Sequence, residues 1–167
     1  MAIFPIRTFG DPVLRGQALP VDTITISTER LVEDMLETMY DAPGVGLAAP
    51  QIGVLRQVFV GDVGEGPFII VNPQLIETAG EWEFDEGCLS VPERFWPIKR
   101  FAYARVRGLD LNGNVIDLEG DDLMGRLLQH EMDHLRGGLL LDHLSKRARK
   151  AALRELREES LGVRPLA

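Results

Sequence analysis

Apolar positions along the chain recur with two periods. Leu31, Met35, Leu36 and Met39 follow three- and four-residue spacing, which predicts a helix starting near Ser27 or Thr28 and ended by Pro43-Gly44. Short β-branched and aromatic runs follow at Val58-Phe59-Val60 and over residues 68–71, and read as strands. A longer run covers residues 102–118. Val106 alternates there with Arg105 and Arg107, while Leu109 and Leu111 fall on the opposite phase. The phase flips at Gly108, which predicts a bulge, and Asn112-Gly113 reads as a hairpin turn. Residues 122–136 return to helical spacing, with Asp121 or Asp122 as N-cap and Gly137 as terminator. At ~100° per residue, Leu123, Leu127, His130 and His134 lie within about 60° of one another, so both histidines share the stripe expected to face the core. A third helix covers residues 145–159, its basic residues forming a solvated face. Helix, strands, helix, helix is the order of an α+β fold with mainly antiparallel β-sheets.

Composition narrows the class. In 167 residues, 45% hydrophobic and 26% charged are values of a folded globular chain, and they exclude disorder as the main state. No stretch approaches ~18 uninterrupted apolar residues, so no membrane span is expected. There is no repeat and no linker, and residues 1–167 read as a single domain. The net charge of −8 argues against broad binding of DNA or other nucleic acid by the body of the protein. The sign is uneven, however. Residues 145–160 hold six basic against three acidic residues, a net of +3, which leaves 12 against 23, a net of −11, for the rest. This pattern is a basic appendage on an acidic body. A single cysteine, Cys88, forms no intrachain disulfide, and the N-terminal residues lack the features of a secretory signal. A reducing, cytoplasmic compartment is the expectation.

Three segments carry candidate chemistry. In His130-Glu131-Met132-Asp133-His134, two histidines at i and i+4 point the same way on a helix and can bind one metal ion, with Glu131 placed to take a proton from water on that ion. Histidines on a polar helix usually face solvent, but these align with Leu123 and Leu127, and buried imidazoles need partners. A catalytic metal takes three protein ligands and a water. The third ligand could be His143, an acid such as Glu155, Glu158 or Glu159, or Cys88; His143 reads as structural, and a lone cysteine is more often a small buried hydrophobe. Cys88 lies in the turn Glu86-Gly87-Cys88-Leu89-Ser90. The last segment, Gly44-Val45-Gly46-Leu47-Ala48-Ala49-Pro50-Gln51, allows close backbone approach to a ligand and offers the Gln51 amide as donor, although it also suits a tight helix-to-strand connection.

Together and in this order, Gly-Val-Gly-Leu-Ala-Ala-Pro-Gln, Glu-Gly-Cys-Leu-Ser and Gln-His-Glu-Met-Asp-His-Leu resemble the three signature motifs of the peptide deformylases, bacterial type. Phe9-Gly10-Asp11-Pro12-Val13-Leu14-Arg15 is similar to their N-terminus, and the resemblance runs from about residue 5 to residue 144. It implies antiparallel sheets around a central helix carrying the His-Glu-x-x-His motif, with N-terminal and C-terminal helices. It implies that Cys88, His130 and His134 bind one divalent metal ion per chain, Fe(II) in the cell, with Zn, Ni or Co possible in a purified sample. Glu131 would take the proton of a water in the fourth position and pass it to the leaving amine, releasing formate from an N-formyl-methionyl nascent peptide. The Gln51 amide and the Leu89 backbone N–H would hold the oxyanion, Gly46 would bind the substrate backbone, and Val45 and Leu127 would wall the methionine pocket. Arg94 is a candidate contact to the peptide, and the basic residues 145–160 a candidate ribosome contact.

Two other functions stay open to the sequence. A metallopeptidase built on the same helix would need a third ligand after it and no Cys88. A non-catalytic, deformylase-like ribosome-associated protein would be expected to lack Glu131 or a ligand, and this chain keeps them all.

Overall fold

Helical spacing at residues 31–39 becomes α1 (Ile26–Asp41) in the computed structural model of the chain, which describes residues 1–162. The single-domain expectation also takes in residues 163–167, which lie outside the described residues. Thr25 is the N-cap, its N–H donating to Thr28 Oγ1 at 3.3 Å, so the helix begins one or two residues before the expected Ser27 or Thr28. It packs Val32, Met35 and Met39 onto β1 (Gly46–Ala48) and β2 (Val58–Gly61). The run that starts at Phe68 extends into a twelve-residue strand, β3 (Phe68–Ala79). Next come β4 (Trp82–Cys88), β5 (Val91–Arg100), β6 (Tyr103–Leu109) and β7 (Val115–Asp121). β1-β2-β3-β6-β7 form an antiparallel sheet in that order, and β4 pairs with β5 as a separate two-stranded ribbon.

Both faces of the sheet are covered, and this corrects the reading at Gly108. Val58, Val60 and Val71 face α1, whereas Phe59, Ile70, Ala104 and Val106 face α2 (Asp122–Leu135). Leu109 and Leu111 are out of phase with Val106 because they join the α1-side core. The strand itself keeps its alternation, and Gly108 pairs regularly with Ile116. The extra residue sits on β3, where the register shifts between Val71 and Gln74 and Asn72 takes a φ of 52°. Gly108 lies opposite that bulge, where a Cβ would stand 2.7 Å from the Val71 carbonyl oxygen. The hairpin at Asn112-Gly113 is present but wider than two residues. Leu109 pairs with Val115, and Asp110 Oδ1 accepts the N–H groups of Asn112 and Asn114 at 2.8 and 2.9 Å.

α2 runs as predicted, from the N-cap Asp121 to a stop at Gly137, whose φ of 76° suits glycine. Its core-facing stripe is Leu128, Met132 and Leu135 rather than the histidine stripe. The helix is buried on nearly every side. Leu127, His130 and His134 face a cavity and the β4–β5 ribbon, and Leu123 stays 43% exposed at the cavity edge. Leu139-Leu140-Leu141 leads into a short 3-10 helix (Leu140–His143), and α3 (Lys146–Ser160) lays Ala152 and Leu156 on Ile98, Leu140 and Leu141. Sequence patterning gave no strand over residues 82–100. Both strands of the ribbon are edges, so they tolerate Pro92 and Pro97 and expose Phe84 and Phe95.

Candidate active site

Three chain segments converge beside α2. β1 supplies Gly46, and the short 3-10 helix Ala49–Ile52 after it supplies Gln51. The end of β4 supplies Glu86 and Cys88, and the two-residue turn into β5 supplies Leu89 and Ser90. α2 presents Leu127, His130, Glu131 and His134 from successive turns.

Cys88 Sγ lies 3.3 Å from His134 Nε2, and the two histidine Nε2 atoms are 3.2 Å apart. All three ligand atoms fall within 4.8 Å of one another. Such separations match ligands sharing one ion with bonds of about 2.0–2.3 Å. Glu131 is buried beside them, and its Oε2 has no hydrogen-bond partner among the described residues. A thiolate and two imidazoles with an unpartnered carboxylate oxygen alongside fit a catalytic divalent metal. Burial pushes the Cys88 thiol up, but His134 and His130 outweigh it and hold the thiol well below its usual range. Burial lifts the Glu131 carboxyl to about 7 against the pull of both histidines, and a divalent cation in the triad would draw it down again.

Neighbours lock these groups in place. Gln51 Oε1 accepts the Ala48 N–H at 2.9 Å, and Nε2 donates to Ser90 Oγ at 3.2 Å while lying 3.7 Å from Cys88 Sγ. Gly46 passes so close to Glu131 that a Cβ there would overlap Oε1. His130 Nδ1 meets Glu86 Oε1 at 2.5 Å, which leaves Nε2 for the ion. Arg100 grips both oxygens of Glu86 at 2.8 and 2.7 Å, and Arg126 Nη1 donates to Oε2 at 2.6 Å. Burial pushes the Glu86 carboxyl up, yet Arg100 and His130 hold it far below the usual carboxylate range. Arg100 also reaches Asp133 at 2.8 Å, and Asp133 in turn meets His143 at 2.7 Å.

The sequence-predicted residues therefore gather in one place. Val45, Gly46, Gln51, Cys88, Leu89, Leu127, His130 and Glu131 all line one cavity of about 630 Å³, with His134 buried behind them. His143 is tied to Asp133 outside the triad, in keeping with a structural role. Glu155 and Glu159 bind Arg94 and Glu158 binds Arg154, so none of these acids is in the metal cluster. Arg94 lines the cavity as well. Sequence reasoning missed the buried set of Glu86, Arg100 and Arg126 and the half-buried Asp133 beside it. One signal was available: Arg126 interrupts the stripe between Leu123 and Leu127, and a charge on a buried helix face requires a partner.

Comparison with known proteins agrees with this geometry. The polypeptide deformylase family model matches residues 3–150. A peptide deformylase of Acidothermus cellulolyticus is 49% identical over 158 residues, covering 95% of this chain and 88% of that protein. The crystal structure of a peptide deformylase from Legionella pneumophila superposes with a TM-score of 0.90 at 42% identity, covering 99% of this chain and 100% of that one. The Ehrlichia chaffeensis deformylase, solved in complex with actinonin, gives 0.90 at 36% identity over 95% of this chain and 98% of its own. A thiol from one motif and two imidazoles from another converge on one point beside a buried glutamate, with Gln51 of the third motif next to the thiol, on a fold shared over nearly its whole length, and the chain belongs to the polypeptide deformylase family.

Proposed function

We propose that this deformylase holds its divalent metal on Cys88, His130 and His134, with Fe(II) as the metal in the cell, and uses Glu131 as general base. Zn, Ni or Co would fit the same ligands in a purified sample. The reaction is removal of the N-formyl group from the N-terminal methionine of newly synthesised polypeptides, with release of formate. Bound at the triad, the ion supplies Lewis-acid polarisation of the formyl oxygen and a lowered pKa for the attacking water. Glu131 takes a proton from that water and returns it to the leaving amine. Gln51 Nε2 and the Leu89 backbone N–H donate to the oxygen that gains charge as the formyl carbon becomes tetrahedral. Gly46 offers backbone hydrogen bonds to the peptide, and Val45 and Leu127 wall the methionine side chain. The whole chain acts as a single domain.

The observation that supports this most is the Glu131 oxygen, buried and without a partner among the described residues, next to the three ligand atoms. Glu131→Ala tests it. The variant should keep its metal and lose turnover by about 10²–10⁴-fold, the range of a positioned acid–base group. Turnover within about threefold of wild type would remove Glu131 from the mechanism.

A cytoplasmic location fits a substrate made by the ribosome, and no helix among the described residues is long and apolar enough to cross a membrane. Contact with the ribosome itself is supported by the outward face of α3, where Lys146, Arg149, Lys150, Arg154 and Arg157 surround Leu153. Reversing Lys150 and Arg154 to glutamate should abolish co-sedimentation with ribosomes at low salt, and unchanged co-sedimentation would exclude this face.

A further inference from the structure

The C-terminal helix meets the rim of the cavity at Arg94. β4 and β5 pair in step from Trp82 with Arg100 to Gly87 with Phe95, and then Cys88 pairs directly with Val91. Residues 92–94 are left standing out of the ladder, Glu93 takes a φ of 61°, and all three line the cavity. The Arg94 guanidinium is held by α3. Its Nη1 donates to Glu155 Oε2 at 2.6 Å and its Nη2 to Glu159 Oε2 at 3.1 Å. These acids are one helical turn apart, on the side of α3 where Ala152 and Leu156 pack against the body. At ~100° per residue Lys146, Lys150, Arg154 and Arg157 fall on a different side.

One guanidinium between two carboxylates carries a net negative charge, and Asp85 and Glu93 stand in the cavity lining near it in sequence. So held, Arg94 has both ends of its fork occupied. We propose that Glu155 and Glu159 are positioning residues for the deformylase site: they fix Arg94 on the cavity rim and keep its charge from the peptide, so that α3 sets which charges are accepted beyond the methionine. The inference rests on the deformylase reading of the cavity.

The test compares formyl-Met-Ala-Lys with formyl-Met-Ala-Glu in wild type, E155Q/E159Q, R94A and the triple variant. Release of the guanidinium in E155Q/E159Q should lower the KM of the glutamate peptide about threefold relative to the lysine peptide, the size of one exposed charge pair, with kcat unchanged. The relative shift should vanish when Arg94 is alanine. Equal shifts with and without Arg94, no shift in either, or a fall in kcat for both peptides alike would each overturn the proposal. Wild-type formate release checks the deformylase reading separately.

Discussion

Replacing Glu86 with glutamine isolates the network behind the metal ligands. The carboxylate is 6% exposed and accepts from Arg100 Nε, Arg100 Nη2 and Arg126 Nη1 at 2.6–2.8 Å, with His130 Nδ1 at 2.5 Å. Glutamine keeps the shape but removes the charge that compensates two buried guanidinium groups. Its NH₂ must also face a donor, because arginine has no acceptor. Asp133 still pairs with Arg100, but it does not reach Arg126 in this arrangement. Leaving one buried charge uncompensated costs about 3–5 kcal/mol, a large part of the 5–15 kcal/mol typical of a folded domain. Urea unfolding of the metal-free protein in chelator measures that loss without a contribution from bound metal. Loss of the partner that orients His130 should in addition weaken metal binding about 10–100-fold, as read by competition with a chelating dye. Arg126→Met should be milder, because Glu86 keeps the two-point grip of Arg100. A loss below ~1 kcal/mol with unchanged metal affinity would refute the reasoning, since the carboxylate would then neither balance the arginines nor hold the histidine.

Two further outcomes follow from particular contacts. Gly46→Ala should lower kcat by about 10²-fold with metal content unchanged, because the new Cβ overlaps Glu131 Oε1 and stands 3.1 Å from its carboxyl carbon. A kcat within about fivefold of wild type would show that Glu131 can move aside at little cost. Asp62, Asp110, Asp117 and Asp142 are all held below their ordinary value of 3.8: Asp62 by Tyr40, Asp110 by the Asn114 N–H, Asp117 by Arg107, and Asp142 by Arg15 against the opposing effect of burial. Groups with depressed folded values add stability that is present above the unfolded value and lost as pH falls through the folded one. Melting temperatures should therefore fall below about pH 4; a curve flat from about pH 5 to about pH 3 would mean that these contacts do not persist in solution.

How far the sequence was legible depended on period and on motif. α1, α2 and α3 were readable because each keeps a helical spacing with a defined start or stop, such as Gly137. The β4–β5 ribbon was not, because a two-stranded element with open edges imposes no alternation on residues such as Pro92, Phe95 and Pro97. Gly108 misled for the opposite reason: a sheet covered on both faces keeps apolar residues on both phases, so Leu109 mimics a slip in register. At the site, the His130 and His134 spacing pointed to a metal from helix geometry alone, and His143 already read as structural, but only the resemblance selected Cys88 over the acids of α3. Folding brings Cys88 to 3.3 Å from His134 across 46 residues of sequence, a proximity that local pattern does not encode. Glu86, Arg100 and Asp133 were hidden in the same way, each an ordinary surface-type residue until β4, β5 and α2 bring them together.

The central claim is that Cys88, His130 and His134 hold the metal on which deformylation depends, and metal content measured beside formate release tests it most directly. Protein purified without oxygen should carry about one ion per chain and release formate from a formyl-Met tripeptide, lose both on chelation, and recover both with Fe(II). Cys88→Ser should fail to retain the metal under the same conditions. Formate release that persists in the metal-free protein, or full metal retention by Cys88→Ser, would contradict the account.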